Sequence, residues 1–93
     1  MYVQTARLKF HIPHAGSLKD KRQTARSVID KTRRKFNVSV AEVEEHDTHN
    51  WLVVGLSLVS STAAHAKKSM DEIVRFVEEN TDGNLMEVET WQD

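Results

Sequence analysis

The sequence predicts an α+β domain: a four-stranded antiparallel sheet with two helices on one of its faces. Three observations lead there. Strand-like segments, most of them alternating apolar and polar residues, occur four times. Two further segments repeat their apolar residues at helical spacing, and the six fall in the order β-α-β-β-α-β. Each β-α-β crossover is right-handed, so both helices must share one face, with the first and third strands central.

Tyr2 to Ile12 is the first strand, with Tyr2, Ala6, Leu8, Phe10 and Ile12 on one side and Gln4 as the exception. Val3, Thr5, Arg7, Lys9 and His11 take the other side. Pro13 cannot donate to a ladder and closes it. Ser17 is placed to cap a helix, with Asp20 standing where a capping box has Glu or Gln. Leu18, Ala25, Val28, Ile29, Thr32 and Phe36 form that helix's apolar stripe, and Asn37 is read as a left-handed stop. Val38 to Val43 is a short strand, residues 44–50 a polar hairpin, and Trp51 to Val59 the most apolar strand. Ser60-Ser61-Thr62 offers caps for a second helix striped by Ala63, Ala66, Met70, Ile73, Val74 and Val77. Thr81-Asp82-Gly83-Asn84 is a turn, and Leu85 to Trp91 the fourth strand. The product is a ferredoxin-like sandwich in a single domain spanning residues 1–93.

Composition narrows the chemistry. With no cysteine, disulfides, iron–sulfur clusters and thiolate zinc sites are excluded. No apolar run reaches the roughly 18 residues of a membrane span, and no signal-peptide core is present, so a soluble cytoplasmic protein without membrane partners is expected. The net charge of −1 conceals a division. Residues 1–37 carry ten basic side chains against two acidic ones, and residues 38–93 three against twelve. Such asymmetry points to an anionic partner, or to acidic and basic elements that neutralise each other in the fold.

Ser17-Leu18-Lys19-Asp20-Lys21-Arg22 and the run from Phe36 to Val43 resemble the YlxP-like family of small bacterial proteins. His11-Ile12-Pro13 and Leu58-Val59-Ser60 extend the likeness over nearly the whole chain. The resemblance implies a ferredoxin-like fold with no established reaction. It also implies a gene neighbourhood shared with translation initiation and ribosome-binding factor A, hence a role near RNA or ribosome maturation.

The residues themselves offer two surfaces. On the first helix Lys19, Arg22, Arg26 and Arg33 project within about 60° of one another, along about 21 Å of axis. Lys21 and Arg34 add charge, which makes these six residues the candidate contacts to ribosomal or other structured RNA. The competing reading is a solvated face in which Asp30 pairs Arg26 or Arg34. Neither an aromatic cluster for sheet-based RNA reading nor sequence-specific DNA binding is expected. The helix-free sheet face should pair Arg7 and Lys9 with Glu87 and Glu89. It should also collect Trp51, Val53 and Trp91 in an apolar patch suited to a homodimer, the alternative function.

His46-Asp47-x-His49 beside Glu44 and Glu45 lies in one hairpin and is read as surface loop, so no metal and no cofactor are expected. No catalytic residues are assigned either. Gly-rich phosphate loops and nucleophile elbows are missing, and the loop after the first strand has no arginine to cradle a phosphate.

Overall fold

The computed structural model describes residues 1–93 and has the order β1 (Tyr2–His11), α1 (Leu18–Lys35), β2 (Ser39–Glu44), β3 (Trp51–Ser60), α2 (Ala63–Glu79) and β4 (Asn84–Gln92). The strands form one antiparallel sheet in the order β2-β3-β1-β4, with β1 and β3 central as the crossover rule requires. Leu8 and Phe10 of β1 with Leu52, Val54 and Leu56 of β3 turn inward. There they meet Ala25 and Val28 of α1 and Ala66, Met70, Ile73 and Val77 of α2, all buried.

Local chemistry sets the helix ends. The Ser17 hydroxyl accepts the Asp20 N–H at 3.1 Å, while the Asp20 carboxylate reaches back to the Gly16 N–H at 3.0 Å. The Thr62 hydroxyl caps α2 by accepting the His65 N–H at 3.2 Å. Helix α1 stops at Phe36, which is extended and still donates its N–H to the Thr32 carbonyl. Asn37 is therefore not the left-handed stop expected of it; the one non-glycine residue with positive φ is Glu45, at 59°.

Gln4, the exception in the apolar alternation, is buried for a reason. Gln92 donates to its side-chain oxygen at 2.9 Å and to the Ala63 carbonyl at 3.0 Å, so the polar group is satisfied where β1, β4 and α2 meet.

Two irregularities break strand parity. Between Glu42 and Glu44 the β2–β3 register shifts, and the bulge brings Glu44 onto the outer face opposite Val53. A second shift beside Lys9 and Phe10 leaves Met86 without a partner on β1. The helix layer is also offset. Helix α1 packs over β2 and α2 over β1 and β3, which leaves Val88 of β4 about half exposed.

Candidate nucleic-acid interface

Helix α1 carries its charge on two sides with different fates. Lys19, Arg22, Arg26, Arg33 and Arg34 are exposed. Arg33 spends one N–H on the Val40 carbonyl at 2.9 Å, which ties the helix to the β2 edge and leaves the rest of its fork outward. The row therefore lies along the β2 side of the helix layer, away from α2. Lys31 and Lys35 project the other way, and the Lys35 ammonium sits 4.9 Å from the Phe76 ring centre and 5.7 Å from that of Phe36.

Lys21 corrects the expectation that it is a phosphate contact. It is fully buried, its ammonium 3.1 Å from Glu42 Oε2 and donating to the carbonyls of Glu45 (2.5 Å) and His46 (3.4 Å). At 100° per residue Lys21 falls between Ala25 and Val28, in the middle of the buried stripe. It joins the first turn of α1 to the β2–β3 loop and is not available to a ligand.

The ion pairs of the structure involve Arg7, Lys9 and Lys21 among the basic groups, beside a His14–Asp82 contact; none reaches the exposed α1 row. The anticipated Asp30 pairing with Arg26 or Arg34 is not formed. The glutamates of β2 and of the residue after it are engaged elsewhere. Glu42 faces Lys21, Glu45 is 3.6 Å from Lys9, and Glu44 grips Arg7 with two bonds of 2.7 and 2.8 Å.

On the outer face Arg7 is the hub. Besides Glu44 it holds Glu89 at 2.9 Å and Glu87 at 3.4 Å, as cross-strand reasoning anticipates for Arg7, whereas Lys9 turns to Glu45 and not to the β4 glutamates. Donation to the Glu44 carboxylate drives the Arg7 guanidinium further toward its charged form, and the same bonds hold the Glu44 carboxyl below its ordinary range. Two cations, Arg7 and Lys9, against Glu44, Glu45, Glu87 and Glu89 leave this face net acidic. The charge division in the sequence thus becomes spatial: a basic flank on α1 and an acidic outer face.

The expected apolar dimer patch is not assembled. Val53 is fully buried, flanked in register by Glu44 and Lys9. Trp51 is half-buried, with the Lys9 ammonium 4.7 Å from its ring centre and His11 at 4.8 Å. Trp91 is 47% exposed but pairs with Thr5, whereas Trp51 pairs with His11. Six residues of β1 separate those positions, about 20 Å along the strand. The loop groups are dispersed too. His46 Nε2 lies 3.2 Å from the Glu42 carbonyl, and His14 pairs with Asp82 at 3.0 Å.

Comparison with known proteins agrees with this architecture. Residues 3–90 match the model of a family described as protein of unknown function (DUF503). Over 64 residues the chain is 33% identical to the uncharacterized protein YlxP of Bacillus subtilis (strain 168), covering 69% of this chain and 70% of that one. A de novo designed protein with ferredoxin fold superimposes with a TM-score of 0.54 at 13% identity, over 100% of this chain and 83% of the design. The fold is ferredoxin-like, and the chain belongs to the DUF503 family of proteins of unknown function.

Proposed function

We propose that the protein is a non-enzymatic cytoplasmic accessory factor that binds structured RNA, free or within a ribonucleoprotein such as the ribosome, through the exposed flank of α1. The observation that carries this reading is the row Lys19, Arg22, Arg26 and Arg33. It is exposed over about 21 Å of helix axis and no carboxylate neutralises it. Glu42, Glu44 and Glu45 are turned to Lys21, Arg7 and Lys9. A row of this length meets several phosphates of one backbone, so binding depends on salt more than on sequence. The outer sheet face is not the RNA surface, because Trp51 is already covered by Lys9 and His11 and the face is acidic. No membrane partner enters this reading, and no helix is long and apolar enough to cross a membrane. Homodimerisation through the outer face is the weaker reading, since Val53 is buried and the two tryptophans are far apart.

The test is a salt titration of binding to a structured RNA. Four phosphate contacts give a log–log slope of roughly −3 to −4, hence a loss of about a hundredfold between 50 and 200 mM salt. Replacing Arg22, Arg26 and Arg33 by Gln should flatten that slope by roughly 2 to 3 and weaken different RNAs equally. Binding by the folded triple variant with the wild-type slope would overturn the assignment.

A further inference from the structure

The free edge of β4 differs from that of β2. Strand β2 has only 6 residues, is bulged, and runs into the left-handed Glu45. Beyond the irregularity at Met86, β4 pairs regularly with β1 from Glu87 to Gln92. Val3 and Asp93 exchange both backbone bonds, at 2.8 and 2.9 Å. Antiparallel pairs alternate, so Trp91, Glu89 and Glu87 also bond to β1, while the N–H and C=O groups of Val88, Thr90 and Gln92 point away from the sheet. Helix α2 does not close over this edge. Between it and β4 lies a shallow groove lined by Asp71, Val74, Arg75, Glu78, Val88 and Thr90.

The side chains beside this edge define what fits it. On the outer face Glu87 and Glu89 share Arg7 with Glu44, and Lys9, opposite Glu87, is turned to Glu45, so the row keeps excess negative charge. On the inner side Val88 and Val74 offer apolar surface, with Asp71, Glu78 and the single cation Arg75 around it. The one strand β4 already pairs with, Thr5-Ala6-Arg7-Leu8-Lys9-Phe10, alternates cations opposite those glutamates with apolar residues opposite Val88. Charge disfavours a second copy of the chain at the register that would cover Val88. A two-fold β4–β4 pair centred on Val88 would set Glu87 against the partner's Glu89, opposing like charges.

We propose that the β4 edge is a docking site for an extended peptide segment that alternates Lys or Arg with apolar residues and adds a fifth strand to the sheet. Its backbone takes the outward groups of Val88 and Thr90. Its cations meet Glu87 and Glu89, and its apolar residues cover Val88 in the groove. This surface is independent of the α1 row and lies at the opposite edge of the sheet.

An NMR titration of the protein, without nucleic acid, with a capped peptide alternating lysine and valine tests the proposal. Saturable shifts centred on residues 87–91, with slowed exchange of the Val88 and Thr90 amides, are expected. A glutamate–valine peptide should not bind, and Glu87→Gln with Glu89→Gln should weaken the lysine–valine peptide about tenfold. Thr90→Pro removes an outward donor without touching the β1 ladder, so it should abolish binding while the circular dichroism stays unchanged. Should that variant unfold, the Val88 and Thr90 amide exchange of the wild type decides alone. The variant with Arg22, Arg26 and Arg33 replaced by Gln should bind the peptide as the wild type does. Absence of saturation at millimolar peptide, shifts confined to α1 or β2, or equal binding of the acidic peptide would overturn the proposal.

Discussion

Replacing Lys21 by Met tests the internal electrostatics most directly. The substitution keeps the unbranched stem, one atom shorter, and removes the charge and donors. In the native protein the ammonium faces Glu42 Oε2 at 3.1 Å and holds two loop carbonyls, with its side chain 1% exposed. Glu42 Oε2 is itself buried and has no hydrogen-bond partner, so Lys21 is its sole compensation. Leaving one member of a buried pair alone costs about 3–5 kcal/mol. The Glu42 side chain keeps 17% exposure, which places the expected loss near the lower end, about 3 kcal/mol. For a domain of this size that lowers the melting temperature by roughly 12–24 °C. Urea unfolding followed by circular dichroism and tryptophan fluorescence supplies the free energy. The double variant Lys21→Met with Glu42→Leu, in which neither charge remains, should recover most of the loss, with a coupling of about 2 kcal/mol. A Lys21→Met cost below about 1 kcal/mol, or single effects that simply add, would refute the reasoning.

Three further outcomes follow from other parts of the molecule. Because Arg7 holds the Glu44 carboxyl below its ordinary value of 4.5, Glu44 contributes stability above that pH and loses it as pH falls through the lower folded value; Glu44→Gln should flatten this part of a urea-midpoint profile between pH 7 and pH 3. A Cβ at Gly55 would come within 2.8 Å of Val43 Cγ1, so Gly55→Ala should cost about 1–3 kcal/mol in chemical denaturation. Adding Val43→Ala should relieve much of that cost. Neutralising Lys67 and Lys68 on α2, also exposed, should leave the RNA salt slope within about one contact of wild type, whereas the α1 triple variant should not.

Much of the fold was legible because local signals agreed with one another. The period of two in β1 and β3, the hydroxyl caps at Ser17 and Thr62 and the stripes of both helices each pointed to the same element order. Lys21 was also within reach. The projection that gathers Lys19, Arg22, Arg26 and Arg33 sets Lys21 on the apolar stripe, and Glu42 sits on the inward parity of β2. A cation and an anion on facing apolar stripes have each other as partners. The bulge after Glu42 left no such trace, since it is fixed by tertiary pairing; it moved Glu44 from a presumed loop to the center of the outer face. Strand parity likewise put Val53 on the outer face without showing that Glu44 and Lys9 stand on either side of it.

The pairing of β1 between β3 and β4 has a consequence for how the chain finds its structure. The β2–β3 hairpin closes a short loop, but the bonds between Val3 and Asp93 join residues 90 positions apart. In a chain with no other contacts, closing that longer loop costs about 2 kcal/mol more in chain entropy than closing the hairpin. During synthesis β1 therefore waits, with one edge unpaired, until β4 has emerged. This non-local step is the natural rate-limiting event of folding. Joining the two ends with a short linker and opening the chain within residues 46–49 would turn β4 and β1 into neighbours in sequence. Such a permutant should refold faster than the parent chain in stopped-flow experiments, and its β2–β3 pairing would become the late contact instead.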